Sequence, residues 1–164
     1  MPDSKTYRVC HLSTVHSPFD QRIFHRECWT AHRAGYETHL IISYMGEEEK
    51  VDGIYMHSVN KTGKPEGKLR ILHRIKLNLK ALSIARSLKA DIYQLHDPEL
   101  IIVGIFLKLL TNGKVIFDCH ENNTAYIKQK EYLPNALRWI LYYGMFFLEI
   151  LAAKILDAII TADA

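Results

Sequence analysis

Apolar residues along the chain alternate between two spacings. Short runs of β-branched and aromatic residues, bounded by turn residues, predict buried strands. Between these runs, apolar residues recur every three or four positions, as they do on one face of a helix. The predicted strands cover residues 7–13, 36–43, 54–60, 91–96, 114–119 and 157–161, and the predicted helices cover 20–34, 68–88, 98–110 and 134–156.

The order of these elements predicts the class of fold. Strands and helices follow one another as β-α-β-β-α-β-α-β-α-β, which is typical of an α/β protein. We therefore expect a Rossmann-like, doubly wound and mostly parallel six-stranded sheet with strand order 3-2-1-4-5-6, as a single domain over residues 1–164. Ligands of such sheets bind at the carboxyl ends of the strands, here around the crevice between the first and fourth strands.

Polar side chains follow three of the predicted strands at this edge. His16, Asp20 and Arg22 follow the first strand, and His96 and Asp97 follow the fourth. The fifth strand ends in Asp118 and Cys119 and is followed by His120, Glu121 and Asn122. Each group has a structural alternative, since Asp20 and Asp97 both suit helix N-caps and an isolated histidine is commonly a satisfied core group. Because three clusters meet at one edge, a site is predicted there.

Charge is unevenly distributed in a composition that is otherwise typical of a folded globule. The net charge is +3, with 48% hydrophobic and 24% charged residues. Between Lys61 and Lys89, however, there are nine Lys or Arg and one acid, Glu66. Such a basic patch favours an anionic partner. Nucleic acid is not expected, because no stacking aromatic residues interleave with these cations.

The predicted helix 68–88 combines these cations with an apolar stripe of Leu69, Leu72, Ile75, Leu79 and Leu82. A basic helix with an apolar face suits the surface of an anionic membrane leaflet. We therefore expect Arg70, Arg74, Lys76 and Lys80 to face a membrane. The alternative is that the stripe packs on the sheet and the cations are merely solvated. The aromatic segment 139–147 would assist attachment but is more typical of a core helix.

Several classes of protein are disfavoured. No G-x-G-x-x-G motif lies between Ser13 and Phe24 and no Walker P-loop is present, which argues against ordinary nicotinamide enzymes and kinases, and no cofactor is expected. Three cysteines without C-x-x-C spacing argue against a disulfide framework or structural zinc and favour a reducing, cytoplasmic location. No signal peptide is visible, and the longest uncharged apolar run, residues 139–148, is shorter than the roughly 20 residues of a spanning helix.

Five segments, taken together, resemble a known enzyme family. They are HSPFDQRIFHRE (16–27), AGYETHLI (34–41), LHDPEL (95–100), VIFDCHEN (115–122) and LDAIITAD (156–163). In order and spacing they are similar to the N-terminal, acceptor-side domain of family 4 retaining glycosyltransferases, which have the GT-B fold. The combination of H-D-P-E-L with D-x-H-E is the most specific part of the resemblance, which covers nearly the whole chain.

The resemblance implies a role for each polar cluster. His120 would be the catalytic residue that reaches the transferred sugar. The acceptor, a glycan or a lipid-linked sugar, would bind His16, Asp20, Arg22, His96, Asp97 and Glu121. The nucleotide-sugar donor would bind a C-terminal domain that residues 1–164 do not include, so this chain alone is expected to be inactive. Similar enzymes assemble cell-surface polysaccharides, some of them peripherally attached at the inner face of the membrane.

Other functions remain open at this stage. The chain could instead be a non-catalytic binding or scaffolding module of the same fold, or half of a split transferase. A metal-dependent hydrolase would use His16, Asp20, His96, Asp97, His120 and Glu121. No two of these histidines have the i, i+4 spacing of a helical metal motif, so no metal is expected.

Overall fold

A computed structural model describes residues 6–60, 69–119 and 134–161, with the backbone alone for residues 69 and 70. The strands are β1 (Arg8–Ser13), β2 (Glu37–Ile42), β3 (Glu49–Val51), β4 (Ile54–Ser58), β5 (Ile92–Leu95), β6 (Lys114–Cys119) and β7 (Ala158–Thr161). A π-helix (Ile23–Cys28) runs into α1 (Trp29–Arg33), and a 3-10 turn (Pro98–Leu100) runs into α3 (Ile101–Leu110). The two longest helices are α2 (Leu69–Leu88) and α4 (Asn135–Ile155).

The seven strands form one mixed but mostly parallel sheet in the order β3-β4-β2-β1-β5-β6-β7. The α/β class and the alternation of strands and helices are confirmed. The predicted six-stranded sheet in the order 3-2-1-4-5-6 is wrong, because β3 adds an antiparallel edge strand beside β4. This strand has only three residues, and they are too exposed to show the alternation of a half-buried strand. The sequence signal for this hairpin was the dipeptide Asp52-Gly53. Both residues have positive φ, at 49° and 86°, as tight hairpin turns require.

The sheet separates two apolar layers. On one side, α2, α3 and α4 pack on alternate residues of the central strands, including Cys10 and Leu12 of β1. On the other side, the π-helix packs Ile23, Phe24 and Cys28 on β2 and β4. Because successive residues of a strand point to opposite faces, His11 and Ser13 lie on the π-helix side.

The helix layer leaves much of its apolar surface exposed. In α2 the fully buried positions are Ala81 and Ala85, whereas Leu72, Ile75 and Leu79 are exposed. The alternative in which this stripe packs on the sheet is therefore wrong for these three residues. The expectation of a core segment at 139–147 is also wrong. Its Trp139 and Phe147 are exposed, and Ala152 is the buried residue of α4.

The close approach of α2 and β5 to the loop before β6 requires glycine at one position. A Cβ added to Gly113 would lie 2.5 Å from the carbonyl oxygen of Ala90 and 2.5 Å from the ring of Tyr93. Tyr93 cannot move aside easily, because it is fully buried and its hydroxyl donates to the carbonyl of Ala85. By contrast, a Cβ added to Gly144, in the middle of α4, would meet no atom within 4 Å.

We expect these two glycines to respond in opposite directions to the same substitution. Gly113→Ala should lower the free energy of unfolding by about 1–3 kcal/mol through overpacking. Gly144→Ala should raise it by up to about 1 kcal/mol, because alanine favours the helix over the unfolded chain. Urea unfolding measures both, and equal stability of Gly113→Ala and the wild type would contradict the close approach.

Candidate active site at the carboxyl ends of β1, β5 and β6

The candidate site lies where β1 and β5 are neighbours in the sheet. The chain leaves β1 toward β2 and leaves β5 toward β6, in opposite directions along the sheet. The loops at the carboxyl ends of these two strands therefore diverge and leave a crevice between them. The structure brings together five of the predicted residues here, namely His16, Asp20, Arg22, His96 and Asp97. The predicted catalytic His120 and the predicted acceptor-binding Glu121 lie outside the described residues.

A π-helix positions two of the charged side chains. The backbone N–H of Glu27 donates to the carbonyl of Arg22, five residues earlier, at 3.0 Å. This wider turn aligns residues five apart, and the guanidinium Nε of Arg22 donates to Glu27 Oε1 at 3.0 Å. At its start, Asp20 Oδ1 accepts the N–H groups of Arg22 and Ile23 at 2.9 and 3.0 Å. The capping role proposed for Asp20 is therefore present.

Arg22 extends this helix to the sheet. Its guanidinium donates to both carboxylate oxygens of Asp118 on β6, at 2.5 and 3.2 Å. Asp118 Oδ2 also lies 3.2 Å from Nδ1 of His96, and Glu27 Oε2 lies 3.7 Å from Nε2 of the same ring. Gln94 on β5 donates to Glu27 Oε2 at 2.6 Å. One connected polar network thus links the π-helix, β5 and β6.

His11 on β1 joins the network through His96. Its Nδ1 lies 3.1 Å from Nε2 of His96, and the two rings stack with centroids 5.4 Å apart. When His96 donates through Nδ1 to Asp118, its Nε2 is free to accept, so His11 then donates through Nδ1. The other nitrogen of His11, Nε2, is buried and has no hydrogen-bond partner in the described part of the chain.

Burial and neighbouring charges adjust three pKa values in this network. Burial lowers the pKa of His11 to about 3, and repulsion from His96 adds to the effect, so the ring is neutral at pH 7. Burial also raises the pKa of Glu27, against the opposing effects of His96 and Arg22. Burial alone would raise the pKa of Asp118, but hydrogen bonds from His96 and Arg22 outweigh it and hold that pKa below its usual range. Asp118 is therefore the anion that anchors Arg22.

Asp97 belongs to a second, adjacent cluster. Its buried Oδ2 accepts the backbone N–H of Thr14 at 2.5 Å and that of Val15 at 3.2 Å. The hydroxyl of Ser13 donates to the same carboxylate at 3.2 Å. The prediction that the Asp97 side chain caps the following helix is wrong, because it makes no capping hydrogen bond. Instead, the carboxylate accepts the N–H groups of the turn after β1.

His16 connects the two aspartates at the mouth of the site. Its Nε2 lies 3.4 Å from Asp97 Oδ1, and its Nδ1 lies 3.8 Å from Asp20 Oδ2. The His16 side chain is partly exposed, as are those of Arg22 and Glu27, while His96, Asp97 and Asp118 are buried. Asp20 is partly exposed as well, so these four groups are the ones that a ligand can reach.

Sequence reasoning missed four members of the network as site residues: His11, Glu27, Gln94 and Asp118. His11 lies inside a strand, where alternation gave no reason to prefer function over packing. Glu27 was inside the HSPFDQRIFHRE segment, but its distance of five residues from Arg22 does not suit an α-helical pair. Asp118 could have been chosen, because it ends β6 as a carboxylate in an otherwise apolar strand.

Three groups converge in a way that could hold a metal ion. Ligand atoms of His11, Glu27 and His96 lie within 4.8 Å of one another. A neutral His11 and a His96 oriented by Asp118 suit a divalent metal such as zinc. Against this, Glu27 is already bound by Gln94 and by the cationic Arg22, which would repel a dication. The predicted absence of a metal stays a prediction.

The residues predicted to face a membrane lie on α2. Lys76 is exposed and Lys80 partly exposed. Arg74 also projects from the helix, but its guanidinium lies 3.2 Å from the carboxylate of Glu99. The side chain of Arg70 lies outside the described residues.

Comparisons with known proteins give no family. No protein-family model matches the chain, and no curated protein matches it.

We expect Asp97 to be the most sensitive carboxylate for folding. Asp97→Ala should lower the free energy of unfolding by about 2–3 kcal/mol, because it leaves buried N–H groups unpaired. Asp97→Asn should cost less, since its amide oxygen can accept the same two backbone N–H groups. Glu47→Ala, an exposed carboxylate, is the control and should change stability by under about 0.5 kcal/mol. Urea unfolding measures all three variants. An Asp97→Ala variant as stable as the wild type would contradict a stabilising role for the Asp97 hydrogen bonds.

The lowered pKa of His11 predicts how stability depends on pH. Below about pH 6.5 the unfolded chain protonates His11, while the folded chain excludes that proton down to about pH 3. Acidification through this window therefore destabilises the fold, by at most about 1.4 kcal/mol per pH unit from this residue. His11→Gln should flatten the dependence measured by urea unfolding between pH 7 and 5. His25→Gln, at an exposed position, should keep it, and identical slopes in all three proteins would contradict the assignment.

Proposed function

We propose that the chain is the acceptor-binding domain of a retaining glycosyltransferase, whose second domain binds a nucleotide-sugar. The observation that carries this proposal is the network of Arg22, Glu27, His96 and Asp118 at the carboxyl edge between β1 and β5. The sequence resemblance assigns acceptor recognition to the same edge. The product would belong to a polysaccharide or a lipid-linked glycan.

The exposed members of the site have the chemistry that a sugar acceptor needs. Sugar hydroxyls both donate and accept hydrogen bonds, and Arg22, Glu27 and His16 present donors and acceptors together. Their side chains are 37%, 22% and 26% exposed. The buried His96 and Asp118 hold Arg22 and Glu27 in place, so that the site is preorganised rather than assembled on binding.

Glu27 has the additional property of a proton acceptor. Its raised pKa makes its carboxylate a better base than an ordinary surface glutamate. A negative carboxylate near the reacting sugar also stabilises the positive charge that develops in glycosyl transfer. By resemblance, His120 and Glu121 would join it, since they follow directly after the last residue of β6.

The donor would be held elsewhere. The turn after β1 has no glycine-rich loop that would bring its backbone close to a diphosphate. The 164-residue chain should therefore bind UDP-, GDP- and ADP-sugars no more tightly than about 1 mM by calorimetry. A micromolar dissociation constant would contradict the assignment of this chain to the acceptor side.

The decisive experiment is transfer of a labelled sugar by a two-domain form, either a longer protein that contains this chain or the chain mixed with a separate donor domain. Membrane-extracted glycolipids serve as acceptors for a panel of labelled nucleotide-sugars. We expect Glu27→Gln and His120→Ala each to lower kcat by about 10²-fold or more, and Arg22→Lys mainly to raise KM for the acceptor. The control Glu48→Gln replaces an exposed glutamate and should retain full activity.

Absence of transfer with every donor would contradict the proposal and favour a non-catalytic binding module. Wild-type turnover of Glu27→Gln would remove Glu27 from the mechanism while leaving the function standing. Unfolding curves of each variant separate loss of function from loss of fold.

A metal-dependent hydrolase is the second candidate, and the convergence of His11, Glu27 and His96 favours it. Zinc or manganese would then activate a water molecule. Hydrolysis of p-nitrophenyl esters and phosphates that requires added metal, and is lost with EDTA and with His11→Ala, would support this function in place of transfer.

A further inference from the structure

The outer surface of the helix layer is apolar over three neighbouring helices. We call it the apolar helix face and define it by Leu72 and Leu79 of α2, Phe106 and Leu109 of α3, and Ile140 and Phe147 of α4. α3 packs between α2 and α4, so these residues belong to one continuous surface. Leu109, Ile140 and Phe147 are 71%, 68% and 65% exposed. A continuous exposed apolar surface of this kind marks an interaction site.

Helix α4 contributes most to this face. It is long and apolar enough to cross a membrane by length and composition, yet only 6% of its most apolar 18-residue stretch is buried. Ile140, Tyr143 and Phe147 recur at three- and four-residue spacing and share its outward side. The opposite side holds Ala152, which packs in the core. The helix thus has apolar residues on both sides, with one side packed on the protein and the other exposed.

Cations accompany this apolar surface. The three helices contain eight Lys or Arg and one acid, Glu149, so they carry a formal charge of +7 in a chain whose net charge is +3. Lys76 lies one turn from both Leu72 and Leu79 and so shares their side of α2. Lys154 lies one turn beyond Ile150 on the outward side of α4 and is exposed. Apolar and cationic side chains therefore point in the same direction.

The positive charge indicates what kind of partner binds the apolar helix face. A second copy of the chain, docked symmetrically through the same face, would bring the Lys76, Lys80 and Lys154 side chains of both copies close together, and their repulsion disfavours such a dimer. An anionic lipid bilayer offers the opposite charge at its surface and hydrocarbon just below it. Both features of the face are satisfied together only by the bilayer.

The connections of α4 fix its orientation to the membrane. Its inner side packs against α3, and it leads through Leu156 into β7, which pairs with β6. A spanning orientation would pull the helix off α3 and β7 out of the sheet.

We propose that the apolar helix face docks on an anionic bilayer, with α4 lying in the plane of the interface and the polar site on the other side of the sheet. This inference does not depend on the proposed glycosyl transfer. It assigns the exposed aromatic and aliphatic side chains of α4 to the acyl–headgroup boundary. Lys76, Lys80 and Lys154 lie at the level of the lipid phosphates.

Vesicle co-sedimentation tests the docking. The chain should sediment with vesicles of phosphatidylcholine containing about 30% phosphatidylglycerol, and much less with phosphatidylcholine alone or at 0.5 M salt. Each lost cation should weaken partitioning about fivefold, so the double variant Lys76→Glu/Lys80→Glu should weaken it at least about 20-fold. The matched control, Arg26→Glu/Lys50→Glu, makes the same charge change at exposed positions outside the helix layer and should bind as the wild type does.

Equal recovery with neutral and anionic vesicles, or equal loss in both double variants, would overturn the proposal. So would a dimer in lipid-free sedimentation that Ile140→Asn/Phe147→Asn converts to a monomer while vesicle binding is unchanged. Thermal unfolding of each variant confirms that the fold is retained, which is expected because all four substituted apolar and basic positions on the face are at least partly exposed.

The depth of α4 is measured separately. Phe147→Trp in a Trp29→Phe/Trp139→Phe background places one fluorophore at the middle of the helix. Lipids brominated near the headgroup should quench it more strongly than lipids brominated near the chain ends. The reverse order would place the middle of α4 at the bilayer centre and replace in-plane docking with a spanning helix.

Discussion

The carboxylate of Asp97 joins the two strands on which the site is built. β1 ends in a turn whose N–H groups would be buried without partners, and Asp97, at the end of β5, accepts two of them. The turn is thereby held against β5 and delivers the chain to Asp20, which starts the π-helix. Arg22 and Glu27 reach β5 and β6 only because this path is fixed. A single buried charge, satisfied by backbone donors, thus organises the approach of the first helix to the sheet.

The two polar clusters at this edge differ in what they leave accessible. The Asp97 carboxylate is buried and accepts hydrogen bonds from the turn after β1, and the partly exposed groups beside it are His16 and Asp20. The Arg22–Asp118 network instead presents the outer edges of a guanidinium and a carboxylate to solvent, above a buried pair of stacked imidazoles. Such a division is typical of a site in which one set of hydrogen bonds stabilises the scaffold and the other meets the ligand.

Much of this arrangement could be predicted from periodicity and from strand ends. Runs such as RVCHLS and KVIFDC alternate with segments of helical spacing, and this alternation was enough to predict the α/β class. The polar residues that follow β1, β5 and β6 were enough to predict which edge of the sheet carries the polar clusters. β3 was missed because its three residues, Glu49, Lys50 and Val51, are too few to show a two-residue period. The pairing of Arg22 with Glu27 was missed because it depends on a π-helical turn, and π-turns leave no mark in a 3.6-residue pattern.

The direction of a side chain was harder to predict than its position. Asp97 stands where an N-cap belongs, and only the structure shows that its carboxylate turns back to β1, where the competing donors are buried. Likewise, the segment 139–147 has the composition of a core helix, and composition alone does not say which side of a helix is covered. In both cases the outcome depended on a competition between neighbours distant in sequence.

The strict alternation along β1 has a consequence for how this chain can vary. Cys10 and Leu12 serve the helix layer, while His11 and Ser13, their immediate neighbours in sequence, serve the polar clusters. A shift of β1 by one residue against β2 and β5 would exchange the two sets at once, so its register tolerates no slip. A point substitution in β1, by contrast, affects only one of the two layers, because neighbouring residues of a strand lie on opposite faces of the sheet. A hydrophobic substitution at Cys10 or Leu12 can therefore change the packing of the helix layer and leave the hydrogen bonds of His11 and Ser13 in place.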